Sequence, residues 1–140
     1  MTGKRALIID DDPANRSIWE LVLTDRGYEV LSASDAASSL EQLNDSITLY
    51  LVDYHLPDIP GAELVSQIRD SYPSSVVVMV SMDDDADVIR ESLHAGGNVF
   101  MVKPSSPSVM AQVLSEIESG DIGVNARQLI NRHGRRNYTL

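Results

Sequence analysis

Five short hydrophobic runs recur along the chain, and segments with helical spacing of apolar residues separate them. The runs are RALII (5–9), YEVLS (28–32), TLYLV (48–52), VVVMV (76–80) and VFMV (99–102). Several are apolar throughout, which is typical of strands that are covered on both faces. The alternation of strand and helix predicts a doubly wound α/β fold with a parallel sheet and right-handed crossovers.

The helix boundaries are marked by capping residues, prolines and glycines. Asp12 and Pro13 are typical of an N-cap and a first helical residue, and Gly27 ends that helix. We therefore assign Asp12 to the cap rather than to a ligand set. Four further helices are predicted: from Ser34 or Asp35 through Leu43, from Pro60-Gly61 to before Pro73, from Asp85 to Ala95, and from Ser106-Pro107 through Ile117. A short additional helix is expected near 124–131.

Length and composition restrict the class of protein. A chain of 140 residues predicts one domain with a sizeable core. Its longest wholly apolar run, 76–80, is far shorter than the roughly 20 residues that a membrane span needs. The absence of cysteine excludes disulfides and thiolate metal sites. With no secretory signal visible, we expect a cytoplasmic protein that does not bind membranes.

Charge is distributed unevenly between the body and the C-terminal end. The net charge of −10 argues against non-specific binding to DNA or anionic membranes. Residues 121–140, however, carry four arginines and one aspartate. We predict a domain at 1–120 followed by a basic C-terminal tail or linker at 121–140. About 20 residues are too few for a helix-turn-helix unit, so direct DNA binding is not expected.

Charged and hydroxyl side chains stand at the ends of four predicted strands. Asp10 and Asp11 end the first strand, Asp53 follows the third, Ser81 the fourth, and Lys103 the fifth. Ligands of open parallel sheets bind at the carboxyl ends of the strands. If these strands are neighbours, the five side chains converge on one small pocket.

Such a pocket needs a cation. Two unit charges about 4 Å apart repel by roughly 4 kcal/mol at an effective dielectric of 20. Crowded acids either raise a pKa or recruit a positive ion, and Lys103 supplies only one charge. Oxygen ligands favour a hard ion, Mg²⁺ (or Mn²⁺). A metal, a lysine and a hydroxyl beside a carboxylate suit a phosphoryl group, which the carboxylate can accept as an acyl phosphate.

Residues 4–118 resemble the receiver domain of two-component response regulators. The resemblance rests on the order and spacing of LIIDDDPANR, LVDYHLPDIPG, Ser81 after VVVMV, HAGG and VFMVKP. It implies a five-stranded parallel sheet of order 2-1-3-4-5, the flavodoxin-like receiver fold, with five surrounding helices. It also implies a signalling domain that catalyses only its own phosphorylation and dephosphorylation.

The resemblance assigns roles to the acidic residues. Asp53 matches the phosphoacceptor, which takes its phosphoryl group from a sensor histidine kinase or phosphotransfer protein. Asp11 matches the direct Mg²⁺ ligand, and Asp10 the acid that reaches the metal through water. The backbone carbonyl of His55 would complete the metal site.

The remaining motif residues imply a conformational switch. Ser81 would bond a phosphoryl oxygen, Lys103 would pair with the same group, and the Lys103–Pro104 peptide would be cis. Phe100 occupies the position of the switch aromatic. The face formed by the fourth helix, fifth strand and fifth helix would then bind a downstream protein or a second copy. Side chains at His55 and Asp83 would flank the phosphoryl group and influence its lifetime.

Other functions remain open at this stage. Asp10-x-Asp12 also fits an aspartate-nucleophile phosphatase, in which Asp10 is the nucleophile and Asp53 has no role. A flavin-binding module of similar topology is disfavoured by the acidic loop after the first strand. A degenerate receiver that is never phosphorylated is disfavoured by the complete pocket. The chain is either a stand-alone receiver or part of a longer regulator.

Overall fold

The computed structural model describes residues 4–131 and 134–137, with side chains described for residues 4–130. Five α/β repeats are followed by two more strands. The elements are β1 (Arg5–Ile9), α1 (Pro13–Asp25), β2 (Glu29–Ala33), α2 (Ala36–Leu40), β3 (Leu49–Asp53), α3 (Gly61–Ser71), β4 (Val76–Ser81), α4 (Ala86–Ala95), β5 (Val99–Val102), α5 (Pro107–Ser119), β6 (Gln128–Asn131) and β7 (Gly134–Asn137). Within the described ranges, no helix has the length and apolar character needed to cross a bilayer.

One sheet contains all the strands, in the order β2-β1-β3-β4-β5-β6-β7. Strands β1 to β6 are parallel, and β7 is antiparallel to β6. The predicted doubly wound fold and the order 2-1-3-4-5 are confirmed. The predicted number of five strands is wrong, because two further strands extend the sheet beyond β5.

The short helix predicted near 124–131 is also wrong, because residues 128–131 form β6. Leu129 packs into the core cluster on one face of the sheet, and Ile130 into the cluster on the other. Adjacent apolar residues that point to opposite faces suit a strand, and the edge of β5 offers it unpaired backbone groups. The predicted boundary at residue 120 is not tested and stays a prediction.

Four helices begin at a side chain that accepts a hydrogen bond from their first turn. Asp12 accepts from Ala14 N–H, which confirms its assignment as an N-cap. The other three capping residues are Asp35 for α2, Asp85 for α4 and Ser106 for α5. These caps satisfy orphan N–H groups and fix where each helix leaves its strand.

Both faces of the sheet are buried. Helices α2, α3 and α4 cover one face, where Leu64 and Phe100 are fully buried. Helices α1 and α5 cover the other, where Trp19 and Leu51 are equally enclosed. Because the sheet is packed on both sides, the carboxyl ends of its strands form a rigid edge.

Asn98, just before β5, joins the sheet to the segment that leads to β6. Its side-chain oxygen accepts from Val77 N–H at 2.9 Å and from the Arg69 guanidinium at 3.0 Å. Its side-chain nitrogen donates to the carbonyls of Val124 and Ala126 at 2.9 and 3.2 Å. Asn98 is fully buried, so its side-chain oxygen is the partner of the Val77 N–H, while the carbonyls of Val124 and Ala126 also accept from Arg127.

We predict that Asn98→Ala destabilises the protein by about 3 kcal/mol, because the buried Val77 N–H loses its acceptor and the carbonyls of Val124 and Ala126 each lose one donor. Urea unfolding of the full chain measures the loss. The matched control is Asn125→Ala at an exposed position, which should change the free energy of unfolding by less than about 0.5 kcal/mol. Equal losses in the two variants would contradict the role given to Asn98.

Candidate phosphoryl-transfer site

The carboxyl ends of β1, β3 and β5 bring together two acids and a lysine. Parallel pairing sets Ile9 of β1 beside Val52 of β3, so Asp10 and Asp53 follow at the same level. The Lys103 ammonium lies 3.1 Å from Asp10 Oδ2 and 3.2 Å from Asp53 Oδ2. The predicted convergence of these three side chains is confirmed.

Asp10 is almost fully buried, and both of its carboxylate oxygens accept hydrogen bonds. Oδ1 accepts from Asp12 N–H at 2.9 Å, and Oδ2 accepts from Lys103 and from the side-chain amide of Asn15. Arg16 donates to the Asp10 carbonyl at 2.7 Å. The start of α1 and the Lys103 ammonium therefore fix the orientation of the Asp10 carboxylate.

Asp53 is 6% exposed, and its two oxygens have different partners. Oδ1 accepts from His55 N–H at 3.1 Å, whereas Oδ2 faces Lys103. Burial, followed by the negative charge of Asp10, raises the pKa of Asp53 to about 6, although Lys103 and the His55 N–H act in the opposite direction. Burial alone would lower the pKa of Lys103, but the charges of Asp53 and Asp10 outweigh it and raise that pKa. The lysine is therefore held as a cation.

Three carboxylates meet closely enough to share a metal ion. Asp10, Asp11 and Asp53 each offer an oxygen atom, and these atoms lie within 4.8 Å of one another. Asp11 is exposed, whereas the other two are buried. One ammonium cannot balance three carboxylates, and the donors are all oxygen. This pocket fits a hard divalent cation.

Ser81 is fully buried at the end of β4 and contacts the neighbouring loops. Its hydroxyl oxygen accepts from Asp83 N–H at 3.0 Å, and its carbonyl accepts from Lys103 N–H at 2.8 Å. The His55 and Asp83 side chains are largely exposed, with 3.7 Å between His55 Nε2 and Asp83 Oδ2. Residues that follow β3 and β4 thus meet beside the pocket.

Phe100, the predicted switch aromatic, lies fully inside the core. It belongs to the cluster beneath α4, with Ile89 and with Leu129 of β6. The Lys103–Pro104 peptide is cis, as the resemblance to receiver domains implies.

The loop that follows Asp53 is tied to two helices. The Tyr54 hydroxyl donates to Glu91 on α4, and this bond, together with burial, raises the pKa of Tyr54 to about 12. The Asp58 carboxylate accepts from the N–H groups of Ala36 and Ala37 at the start of α2. The loop that follows Asp53 is therefore in contact with both α4 and α2.

Gly61 and Asn15 are site residues that sequence reasoning missed. The first residue of α3 approaches the end of β3 so closely that a Cβ atom on Gly61 would lie 2.1 Å from the Asp53 carbonyl oxygen. Gly61 N–H also donates to Tyr54 O at 2.7 Å. The Pro60-Gly61 pair predicts a helix start and ends the motif LVDYHLPDIPG, but the sequence gives Gly61 no role of its own, and Asn15 carries no charge that distinguishes it within LIIDDDPANR.

The class of protein that this fold and pocket define is confirmed by comparison with known proteins. The family model described as "Response regulator receiver domain" matches residues 6–115. The chain therefore belongs to the response regulator receiver domain family of two-component systems, in which phosphorelay through aspartate is typical.

Individual proteins that match the chain are consistent with this family. The chain is 34% identical over 114 residues to the uncharacterised transcriptional regulatory protein YrkP of Bacillus subtilis (strain 168), covering 81% of the chain and 49% of YrkP. It is 27% identical over 129 residues to a chemotaxis protein CheY homologue of Campylobacter jejuni, covering 89% and 99%. The CheY-like receiver domain structure from Methanospirillum hungatei JF-1 superposes with a TM-score of 0.80 at 30% identity, covering 85% of this chain and 96% of that one.

Some relatives are much longer than this chain. The chain spans 49% of YrkP and 26% of a cyclic di-GMP phosphodiesterase of Thermotoga maritima, to which it is 33% identical over 98 residues. The receiver domain is the part that these proteins have in common with it.

We predict that Gly61→Ala destabilises the protein by about 3 kcal/mol, because the added methyl group forces the backbone of Asp53 to move. The displaced carboxylate should also react more slowly with a small phosphodonor. Thermal unfolding and the rate of labelling by acetyl phosphate measure the two effects. Gly123→Ala is the matched control, since a Cβ atom there has nothing within 4 Å. Labelling at the wild-type rate in Gly61→Ala would contradict the proposed constraint.

Proposed function

We propose that this receiver domain accepts a phosphoryl group on Asp53 from a sensor histidine kinase or a phosphotransfer protein. The observation that carries the proposal is the Lys103 ammonium, which contacts both Asp10 and Asp53 at the buried edge of the sheet. Lys103 is placed to hold a phosphoryl oxygen, while the His55 N–H holds the second oxygen of Asp53. Family membership supports this assignment.

The transfer is a displacement at phosphorus. A carboxylate oxygen of Asp53 forms the new P–O bond as the P–N bond of a phosphohistidine breaks, and the imidazole leaves with the electron pair and takes up a proton. The product is an acyl phosphate on Asp53. Lys103 and the Ser81 hydroxyl stabilise the phosphoryl oxygens, and Asp10 keeps Lys103 in position.

A divalent ion, Mg²⁺ (or Mn²⁺), would be held by Asp10, Asp11, Asp53 and the His55 backbone carbonyl. The ion supplies positive charge that offsets the repulsion between the acids and an incoming phosphoryl group. Since both oxygens of Asp10 already accept hydrogen bonds, we assign Asp11 as the direct ligand and Asp10 as a ligand through water.

The phosphatase alternative, with Asp10 as nucleophile, is not supported. Both Asp10 oxygens are engaged, Asp12 caps α1, and the chain belongs to a receiver family. We propose that the chain catalyses only its own phosphorylation and dephosphorylation.

We propose that the output is a change of partner binding on the face that includes α4, β5 and α5. Phosphorylation adds a charge of about −1.5 to −2 and three acceptor oxygens beside Ser81 and Lys103. The loop contact between Tyr54 and Glu91 connects the same site to α4. The partner is a downstream protein or a second copy of the chain, and the location is cytoplasmic. No direct binding to nucleic acid is proposed.

We predict that acetyl phosphate with Mg²⁺ adds the mass of one phosphoryl group to the wild-type chain, and none to Asp53→Asn. Chelation with EDTA should abolish labelling of the wild type, because the acids then repel the donor. Intact mass spectrometry measures both effects. A stable label on Asp53→Asn, or turnover that requires Asp10 and not Asp53, would overturn the proposed function.

We also predict that His55→Ala and Asp83→Ala change the lifetime of the acyl phosphate by about threefold or more, because these side chains stand where water approaches. The affinity for Mg²⁺ should change less. Dephosphorylation after removal of the donor gives the lifetime, and isothermal titration calorimetry with Mg²⁺ gives the affinity. Asp84→Ala, at an exposed neighbouring position, is the control. Equal lifetimes in all three variants would contradict this role.

A further inference from the structure

The outer edge of β5 is occupied by the chain's own β6. Residues Val99, Phe100 and Met101 pair in parallel with Gln128, Leu129 and Ile130. An additional backbone bond joins Gln128 N–H to the Asn98 carbonyl at 3.0 Å. The matched family segment ends at residue 115, so β6 lies outside it. A partner that pairs with this edge of β5 has to displace β6 first.

Two adjacent apolar residues anchor β6. Leu129 is 7% exposed and lies beneath α4 in the cluster of Phe100, its register partner. Ile130 is 8% exposed and lies on the α5 face with Met101, its own register partner. The edge of β5 thus accepts a strand that presents one apolar residue to each face of the sheet.

The region where β6 packs contains buried polar atoms that have no hydrogen-bond partner among the described residues. Arg127 Nε and Gln128 Oε1 are buried and have no hydrogen-bond partner among the described residues. Arg69 Nε is also buried without a hydrogen-bond partner among the described residues. Burial, together with the charge of Arg127, lowers the pKa of Arg69. Buried polar atoms without partners cost free energy that release into water recovers. The pairing of β5 with β6 joins three residue pairs, and the unpartnered buried atoms cost free energy. The contact between β5 and β6 is therefore easier to open than the central pairings of the sheet.

Strand β5, whose outer edge β6 occupies, ends at the candidate site. Lys103 follows Val102, the last residue of β5, and its backbone N–H donates to the Ser81 carbonyl at 2.8 Å. A phosphoryl group that draws Lys103 and Ser81 toward itself therefore pulls on the ends of β5 and β4. Any adjustment of β5 has to be accommodated at its neighbours, of which β6 is the less firmly held.

We propose that the edge of β5 is a strand-binding site that residues 128–131 occupy in cis, and that phosphorylation of Asp53 releases them. The released edge accepts an extended segment of a partner protein, parallel to β5, with two adjacent apolar residues. This inference rests on the proposed function of Asp53. Coupling of this kind is reciprocal, so loosening β6 favours occupancy of the phosphoryl site.

Hydrogen–deuterium exchange on the full chain tests the release. With Mg²⁺ and beryllofluoride, a phosphoryl mimic, the amides of residues 128–131 should exchange about fivefold faster or more than with Mg²⁺ alone. The amides of β2, at the opposite edge, should change less than twofold, and Asp53→Asn should show no response at β6. Unchanged or slower exchange at 128–131 would overturn the release.

Labelling of Asp53 by acetyl phosphate, measured beside the exchange experiment, distinguishes failure of this inference from failure of the proposed function. If acetyl phosphate labels Asp53 while β6 does not respond to beryllofluoride, the coupling is wrong and the phosphoacceptor assignment stands. If Asp53 is not labelled at all, the proposed function fails and the coupling with it.

A variant of the anchor tests the reverse direction. Leu129→Ala should bind beryllofluoride with Mg²⁺ about fivefold more tightly, a gain that general destabilisation does not produce. Leu129→Met retains the anchor and should bind beryllofluoride with the wild-type affinity. Leu21→Ala removes a side chain of the same type at a position 73% exposed on α1, and should also leave the affinity unchanged. An affinity in Leu129→Ala at or below that of these controls would overturn the coupling.

Discussion

The ammonium of Lys103 between two buried carboxylates is the interaction on which the rest of the site depends. Charges this far from water are tolerated only when they are paired and hydrogen-bonded. Lys103 neutralises one acid of the pair, while Asn15 and the backbone N–H groups of Asp12 and His55 satisfy the remaining oxygens. The pocket keeps an excess of negative charge, which suits it to a hard divalent cation.

The sheet stabilises this arrangement of charges, because its buried strands hold the charged residues at their ends rigidly. Apolar residues of β1, β3, β4 and β5 are buried on both faces, and the charged side chains of Asp10, Asp53 and Lys103 stand at the carboxyl ends of β1, β3 and β5. The approach of Gly61 to Asp53 is a further consequence of this close packing, since only a residue without a Cβ atom lets α3 begin there. The electrostatic properties of the site thus depend on packing that is entirely apolar.

The positions of Asp10, Asp53 and Lys103 could be predicted because parallel strands all place their carboxyl ends at one edge. The contact between Asn15 and Asp10 could not be predicted, since a neutral amide on a helix has many roles and only the fold shows that this one faces Asp10. The β6 strand was missed for a different reason. The sequence RQLIN is compatible with a helix, and what decides its structure is the free edge of β5, a tertiary feature that local propensity does not contain.

Membership of the family does not decide how the signal leaves the domain, because β6 lies beyond the segment that the family model matches. In a sheet that stops at β5, Phe100 would have β4 on one side and no strand on the other. Here Leu129 packs with it, so any movement of the aromatic ring would have to displace the side chain that anchors β6. If Lys103 pairs with a phosphoryl group, as proposed, β5 connects that group to the covered edge, because Lys103 follows the end of the strand and Phe100 in its middle contacts β6. Under that proposal, phosphorylation and the release of β6 would each change the free energy of the other.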